Sequence, residues 1–102
     1  MIAVSRFRVD AQGTDAFVGR ANDAVNFFRT RAGNQSAELV RNLDDADLWA
    51  IVTTWDNVGS YRRSFNGFEA KVILMTLLSE AIDEPSAYAA PDVVGVNRPR
   101  GV

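Results

Sequence analysis

Residues 48–55 read L-W-A-I-V-T-T-W, and no stretch of the chain constrains the fold more. The run is too short for a helix of ordinary length and is rich in β-branched and aromatic side chains, so it reads as a strand. It also lacks the polar alternation of a strand with one face in water. A strand of this kind sits inside a sheet that is buried on both faces. The whole chain has 102 residues, which is the size of one domain. A domain that small has few layers to offer, so what covers each face of the sheet becomes the central structural question.

The flanking segments supply the other elements. Residues 2–9 carry Ile2, Val4, Phe7 and Val9 and read as a first strand, with Arg6 and Arg8 on the face of Ile2 and Val4. Thr14 follows Gly13 and is placed to cap a helix over 15–31, where Phe17, Ala21, Ala24, Val25 and Phe28 recur at helical spacing. Gly33 and Asn34 stop that helix. Residues 36–43 form a second strand, with Ala37, Leu39, Arg41 and Leu43 on one face, and the polar turn 44–47 joins it to 48–55 as an antiparallel hairpin. A second helical region begins at Asp56 or Asn57 and is interrupted near Asn66 and Gly67. Its later part, 68–82, is apolar around too much of its circumference for one exposed amphipathic face, so part of it is expected to meet a partner chain. Pro85 ends the helical potential. A last strand is expected within 86–96, with Pro91 marking an edge or a break. The order β-α-β-β-α-β is the ferredoxin-like pattern of an α+β fold with an antiparallel sheet. Two helices cover one sheet face, and a second copy of the chain is the simplest cover for the other. The domain is expected over 1–96, with 97–102 as a flexible C-terminal tail.

Composition removes several classes of chemistry. The chain has no cysteine and no histidine. Disulfides, thiolate sites, imidazole-ligated metals and histidine-based triads therefore cannot be assembled from it. Its net charge is −2 and its arginines are scattered, which argues against a nucleic-acid partner. No segment is long and apolar enough to cross a membrane, and charges at Arg6, Arg8 and Asp10 interrupt any signal-like start. A cytoplasmic location and the absence of metal and of cofactor are the resulting expectations. The cluster Asp44, Asp45, Asp47 lacks the ligand spacing of a calcium loop and reads as a solvated turn.

The element order, the length and the segment L-W-A-I-V-T-T-W-D-N-V-G-S-Y resemble the antibiotic-biosynthesis-monooxygenase family. There a third strand ends in Trp, here Trp55. A polar residue then opens the second helix, here Asp56 with Asn57, and an aromatic follows, here Tyr61. The resemblance spans roughly residues 1–94. It implies a homodimer whose sheets face each other as a dimeric α+β barrel, with a small-molecule pocket between each sheet and its own helices. It also implies metal- and flavin-free oxygenation of aromatic molecules, quinol oxidation or heme degradation. The heme-degrading branch uses a helical histidine that this chain lacks. It also uses a first-strand asparagine, where Ser5 stands here, and a tryptophan near the position of Arg63, so none of the heme site carries over.

Under this resemblance the chain reads as a cofactor-independent monooxygenase for a small aromatic or quinone-type substrate. The alternative is a non-catalytic small-molecule-binding or assembly module on the same dimer. Cofactor-free oxygenation needs apolar walls around an electron-rich substrate, and cations or donors for the anion that forms. Asn57, Tyr61 and Arg6 are the catalytic candidates, and Trp49, Trp55, Arg62, Phe65 and Phe68 the substrate-binding ones. Each has a structural reading beside the functional one. Asn57 is placed to cap a helix, Arg6 to pair with a carboxylate, and the aromatics to fill the core. Trp49 and Trp55 share one sheet face by their even spacing, but which face is left open.

Overall fold

The computed structural model describes residues 1–95. The chain runs β1 (Ile2–Arg8), α1 (Thr14–Arg29), β2 (Asn34–Arg41), β3 (Leu48–Trp55), α2 (Val58–Arg63), α3 (Phe68–Ala70), a π-helical stretch (Lys71–Met75), α4 (Thr76–Leu78), β4 (Ala87–Tyr88) and α5 (Pro91–Val94). The strands lie in the order β2-β3-β1-β4, with every neighbouring pair antiparallel. This is the α+β ferredoxin-like arrangement. Val96 and the tail 97–102 lie outside the described residues.

The register sorts the side chains. Phe7 stands opposite Trp49, Ser5 opposite Ile51 and Ala3 opposite Thr53. Ala37 and Leu39 of β2 stand opposite Thr53 and Ile51. Successive strand residues point to opposite faces, so these share one face, and that face meets α1 and the helical stretch 68–78. Both tryptophans lie on it. Trp49 packs its ring against Phe17 at 5.8 Å between centroids, and Trp55 meets Phe28 edge-on at 5.8 Å. Leu74 and Leu77 close the core from the second helical region at 0% and 1% exposure. Side chains of this size contribute about 1.5–3 kcal/mol each when fully buried.

The opposite face lacks a cover from the described residues of one chain. Among the described residues only the helix-facing side of β3 is covered. Val4, Ala50 and Val52 on the other side are half-buried, and Ile2 and Val40 are 39% and 40% exposed. No element of the described residues packs over that face.

Local details differ from the sequence pattern for identifiable reasons. Gly13, not Thr14, holds the N-cap of α1. The Thr14 hydroxyl turns back to donate to the Asp10 carbonyl at 2.9 Å, while the Asp10 carboxylate accepts from the Gly13 amide at 2.8 Å. Leu43 lies beyond β2 in the turn and is fully exposed, because strand pairing ends at Arg41 opposite Trp49. The last strand shrinks to Ala87–Tyr88. Pro91 suits the first turn of a helix, where its missing N–H is not needed, and it opens the turn containing Val93 and Val94. Gly67, at φ +99°, breaks the second helical region. Gly33, at φ +83°, lets the α1–β2 turn approach α2 so closely that a Cβ there would stand 2.3 Å from Ser60 Oγ. Among the described residues no helix is long and apolar enough to cross a membrane.

Candidate active site

The segment after α4 forms one wall of a cavity because it is zipped onto the edge of β1. Ile82 donates its amide to the Arg6 carbonyl at 2.8 Å, Val4 donates to the Ser86 carbonyl at 2.7 Å, and Ala87 and Tyr88 then pair with Ala3 and Ile2. Between this segment, β1 and α2 lies a cavity of about 490 Å³. Val4, Leu78, Ala81 and Ile82 supply apolar wall. Ser5, Tyr61, Ser79 and Ser86 supply hydroxyls, and Arg6, Asp83 and Glu84 supply charge.

Tyr61 reaches this cavity from α2, and its ring is held on the core side. It meets Phe65 perpendicularly at 5.2 Å and Trp55 at 6.0 Å. Burial pushes its phenol above the ordinary range, while the Ser86 side chain pulls the other way. The group is therefore a neutral hydrogen-bond donor at physiological pH.

Arg6 is present at the wall but engaged. Its Nε and Nη2 donate to the two oxygens of Glu84, each at 2.6 Å, in a bidentate pair. The hydrogen-bonded guanidinium holds the Glu84 carboxyl below its usual range, and Arg6 is raised in turn. One guanidinium thus faces two carboxylates in the lining, so the cavity offers no surplus positive charge to an anionic substrate. The remaining polar lining is hydroxyl, and the Ser79 hydroxyl is itself donated to the Thr76 carbonyl at 2.7 Å.

The other candidates are dispersed. The Asn57 side chain accepts from the Ser60 amide at 2.8 Å as the N-cap of α2, and Asn57 is not part of the cavity lining. Trp55 is 1% exposed in the core, its indole N–H donating to Thr53 Oγ1 at 2.8 Å. It acts on the cavity only through Tyr61. Phe65 is half-buried between Tyr61 and Phe28. Trp49 lies at the far end of β3 beneath the Arg41 guanidinium, 4.6 Å from its ring, with a buried indole N–H that has no partner among the described residues. Arg62 is exposed and lines no part of the cavity, and Phe68 is 82% exposed at the start of α3. The structure therefore joins Tyr61 and Arg6 at one cavity, backs Tyr61 with Trp55 and Phe65, and leaves out Asn57, Trp49, Arg62 and Phe68. The sequence reading missed Ser79, Asp83 and Ser86 at the wall, and Ser5 entered it only as a departure from the heme site. Three of the four lie outside the strands and helices, where no periodicity marks them.

Among the described residues no group of three or more carboxylates assembles into a metal site. Asp45 pairs instead with Arg8 at 2.9 Å, and the Asn42 side chain accepts from the Asp44 and Asp45 amides.

The sequence model described as antibiotic biosynthesis monooxygenase matches residues 1–73. Solved structures share the fold at low identity. A Deinococcus radiodurans protein superposes with a TM-score of 0.73 at 15% identity, over 87% of this chain and 90% of its own. A conserved protein of Methanosarcina mazei gives 0.69 at 17%, over 84% of both chains. SnoaB of Streptomyces nogalater, a cofactor-independent oxygenase solved as a mutant, gives 0.67 at 18%, over 79% of this chain and 82% of its own. No curated protein sequence matches the chain.

Proposed function

The chain belongs to the antibiotic biosynthesis monooxygenase family, and from that premise we propose that it is a homodimeric, cofactor-independent oxygenase of a small phenol- or anthrone-type aromatic molecule. The observation that carries this reading is the cavity of about 490 Å³ with the Tyr61 hydroxyl at its wall. That volume lies within the range typical of small-molecule sites, and its mix of aliphatic wall and hydroxyls suits a flat, hydroxylated ring system. The cofactor-independent oxygenase with the same fold supports the reaction class.

In this reaction the substrate supplies its own electrons. A C–H bond activated by the ring loses its proton, and Asp83 is the acceptor available, since it has no guanidinium partner among the described residues. The carbanion gives one electron to oxygen, and the radical pair combines to form a C–O bond. The resulting hydroperoxide loses water to leave a carbonyl. One oxygen atom stays in the product, and the other leaves with the second hydrogen of the carbon and the transferred proton. Tyr61, kept protonated by burial, donates to the peroxide oxygen that departs. Ser5 and Ser86 hold the substrate hydroxyls, and Ser79, whose own proton goes to the Thr76 carbonyl, accepts from one.

The half-buried sheet face supports the homodimer. Ile2, Val4, Val40, Leu48, Ala50 and Val52 form a patch that a second copy would cover across a two-fold axis.

The test is oxygen uptake with a panel of anthrones, naphthols and hydroquinols, without added metal or flavin. Protein-dependent uptake that survives chelator establishes the reading. The second reading, a binding module without chemistry, is favoured by the engagement of Arg6 with Glu84 and of Asn57 with the helix end. Saturable binding of panel members with no uptake selects it.

A further inference from the structure

A second cleft, of about 390 Å³, lies against another face of α2, where the end of α1 approaches Ser60, Arg63, Ser64 and Asn66. Two guanidiniums, Arg31 and Arg63, line it, and no carboxylate does. Among the described residues no acidic side chain pairs with either arginine. Arg6, Arg8 and Arg20 each pair with an acidic side chain, while Arg29 and Arg41 donate to the Ala37 and Ala46 carbonyls.

Each cleft arginine has contacts of its own. Arg31 lies over the Phe27 ring at 5.1 Å from its centroid, and its Nη2 donates to the Asn66 carbonyl at 3.1 Å and the Arg63 carbonyl at 3.3 Å. Those contacts satisfy the end of α2, and the other guanidinium donors of Arg31 have no partner among the described residues. Arg63 folds back along α2, its Nη2 3.4 Å from Ser60 Oγ. Gly59 makes room for it, since a Cβ there would stand 2.9 Å from Arg63 Nη1. The Thr30 and Ser64 hydroxyls already donate to the Phe27 and Tyr61 carbonyls, at 2.7 and 2.6 Å. The Ser60 hydroxyl accepts from Arg63 and has no acceptor of its own among the described residues. Cations that line one cleft are drawn to an anion that can bridge them, and guanidinium forks match the oxygens of phosphate or carboxylate.

We propose that this cleft is a binding site for a small oxyanion, a phosphoryl or carboxylate group carried on a small molecule. Arg63 and Arg31 are its charged donors and the Ser60 hydroxyl its neutral one. The site is separate from the cavity at Tyr61 and does not depend on the oxygenase reading.

The probes are inorganic phosphate and acetate, titrated at constant ionic strength in chloride and followed by amide chemical shifts and calorimetry. Saturable shifts confined to residues 30–33 and 60–66 are expected. Arg63→Gln should weaken binding about tenfold or more, and Arg63→Lys less, because it keeps the charge but loses the fork. Arg62→Gln makes the same change in net charge one residue away, outside the cleft, and should leave affinity within about twofold, as expected for a screened exposed charge. Saturation by phosphate alone identifies a phosphoryl ligand, and saturation by both identifies oxyanions in general. The proposal is overturned if neither probe saturates, if the shifts map elsewhere, or if Arg62→Gln costs as much as Arg63→Gln. Thermal melting of each variant shows that the fold is intact, and Arg63→Lys serves in place of Arg63→Gln should the latter melt early.

Discussion

Replacing Val52 by Glu tests the homodimer through the sheet face that the described residues of a single chain leave uncovered. Val52 is central on that face, opposite Val4 on β1 and Glu38 on β2. It is half-buried in the isolated chain, so a Glu there can extend into water and the monomer should fold. In a two-fold dimer the same carboxyl becomes buried. It then has two options. It can stay charged beside Glu38, at a cross-strand Cβ spacing of about 4.5–5.5 Å, or it can take up a proton. Protonating a group of ordinary pKa about 4.3 at pH 7 costs about 3.7 kcal/mol, at 1.36 kcal/mol per unit. That caps the ionisation part of the penalty, because a costlier buried charge would simply neutralise, and the polar carboxyl adds a desolvation cost of its own. The symmetry applies the penalty twice, so ionisation alone should weaken dimerisation by up to about 7 kcal/mol, or roughly five powers of ten. Sedimentation equilibrium across nanomolar to micromolar concentrations reads the effect directly. Lowering the pH to about 4 should restore much of the dimer, since the ordinary carboxyl is then largely protonated in either state. Val52→Thr, which carries no charge, should stay dimeric. A Val52→Glu protein that remains dimeric at neutral pH, or a wild type that is monomeric at micromolar concentration, refutes the reasoning.

Three further outcomes are expected. Tyr61→Phe keeps the ring against Trp55 and Phe65, so melting should shift little, while kcat for oxygen uptake should fall about 100-fold or more, the usual weight of a positioned acid; an unchanged kcat removes Tyr61 from the chemistry. Asn57→Ala removes the cap on the Ser60 amide and should cost about 1 kcal/mol in denaturant unfolding, with kcat and KM nearly unchanged. A large loss of kcat there would show that Asn57 reaches substrate after all. Glu84 and Glu80 are held below the carboxylate value of 4.5 by hydrogen bonds from Arg6 and Arg20. The unfolded chain therefore binds protons first as pH falls, so their stabilisation is complete above about pH 5 and drains away as pH drops through their lowered folded values. Melting temperatures between pH 7 and 3 should show this slope, Glu84→Gln should flatten it, and an unaltered slope would deny the Arg6–Glu84 pair a part in stability.

What the sequence reveals and what it hides follow from the range of the interactions involved. β3 is legible end to end because its signal, a dense run of β-branched and aromatic residues, is local. The interruption at Gly67 is legible because only glycine adopts φ +99° without strain. The shared face of Trp49 and Trp55 is equally local, since it needs only the two-residue period. Which layer that face meets is not, because it depends on Phe17 and Phe28 arriving from α1. Arg6 illustrates the limit. Its place on the strand suggests a carboxylate partner as well as a substrate cation, but not which carboxylate: the partner is Glu84, 78 residues away, brought alongside only when residues 82–88 zip onto β1. The same zipping builds the cavity and delivers Ser86 to Tyr61, so the site is assembled by the segment with the weakest pattern in the chain. Val93 and Val94 show the converse error. Their β-branched identity suggests a strand, but Pro91 fits a helix start and the pairing edge ends at Tyr88. In this fold a site hydroxyl contributed by a loop is conveyed by topology alone. The informative residues for function are therefore those that attach the final segment to β1, and a substitution that loosens this attachment should damage the cavity while sparing the tryptophan core.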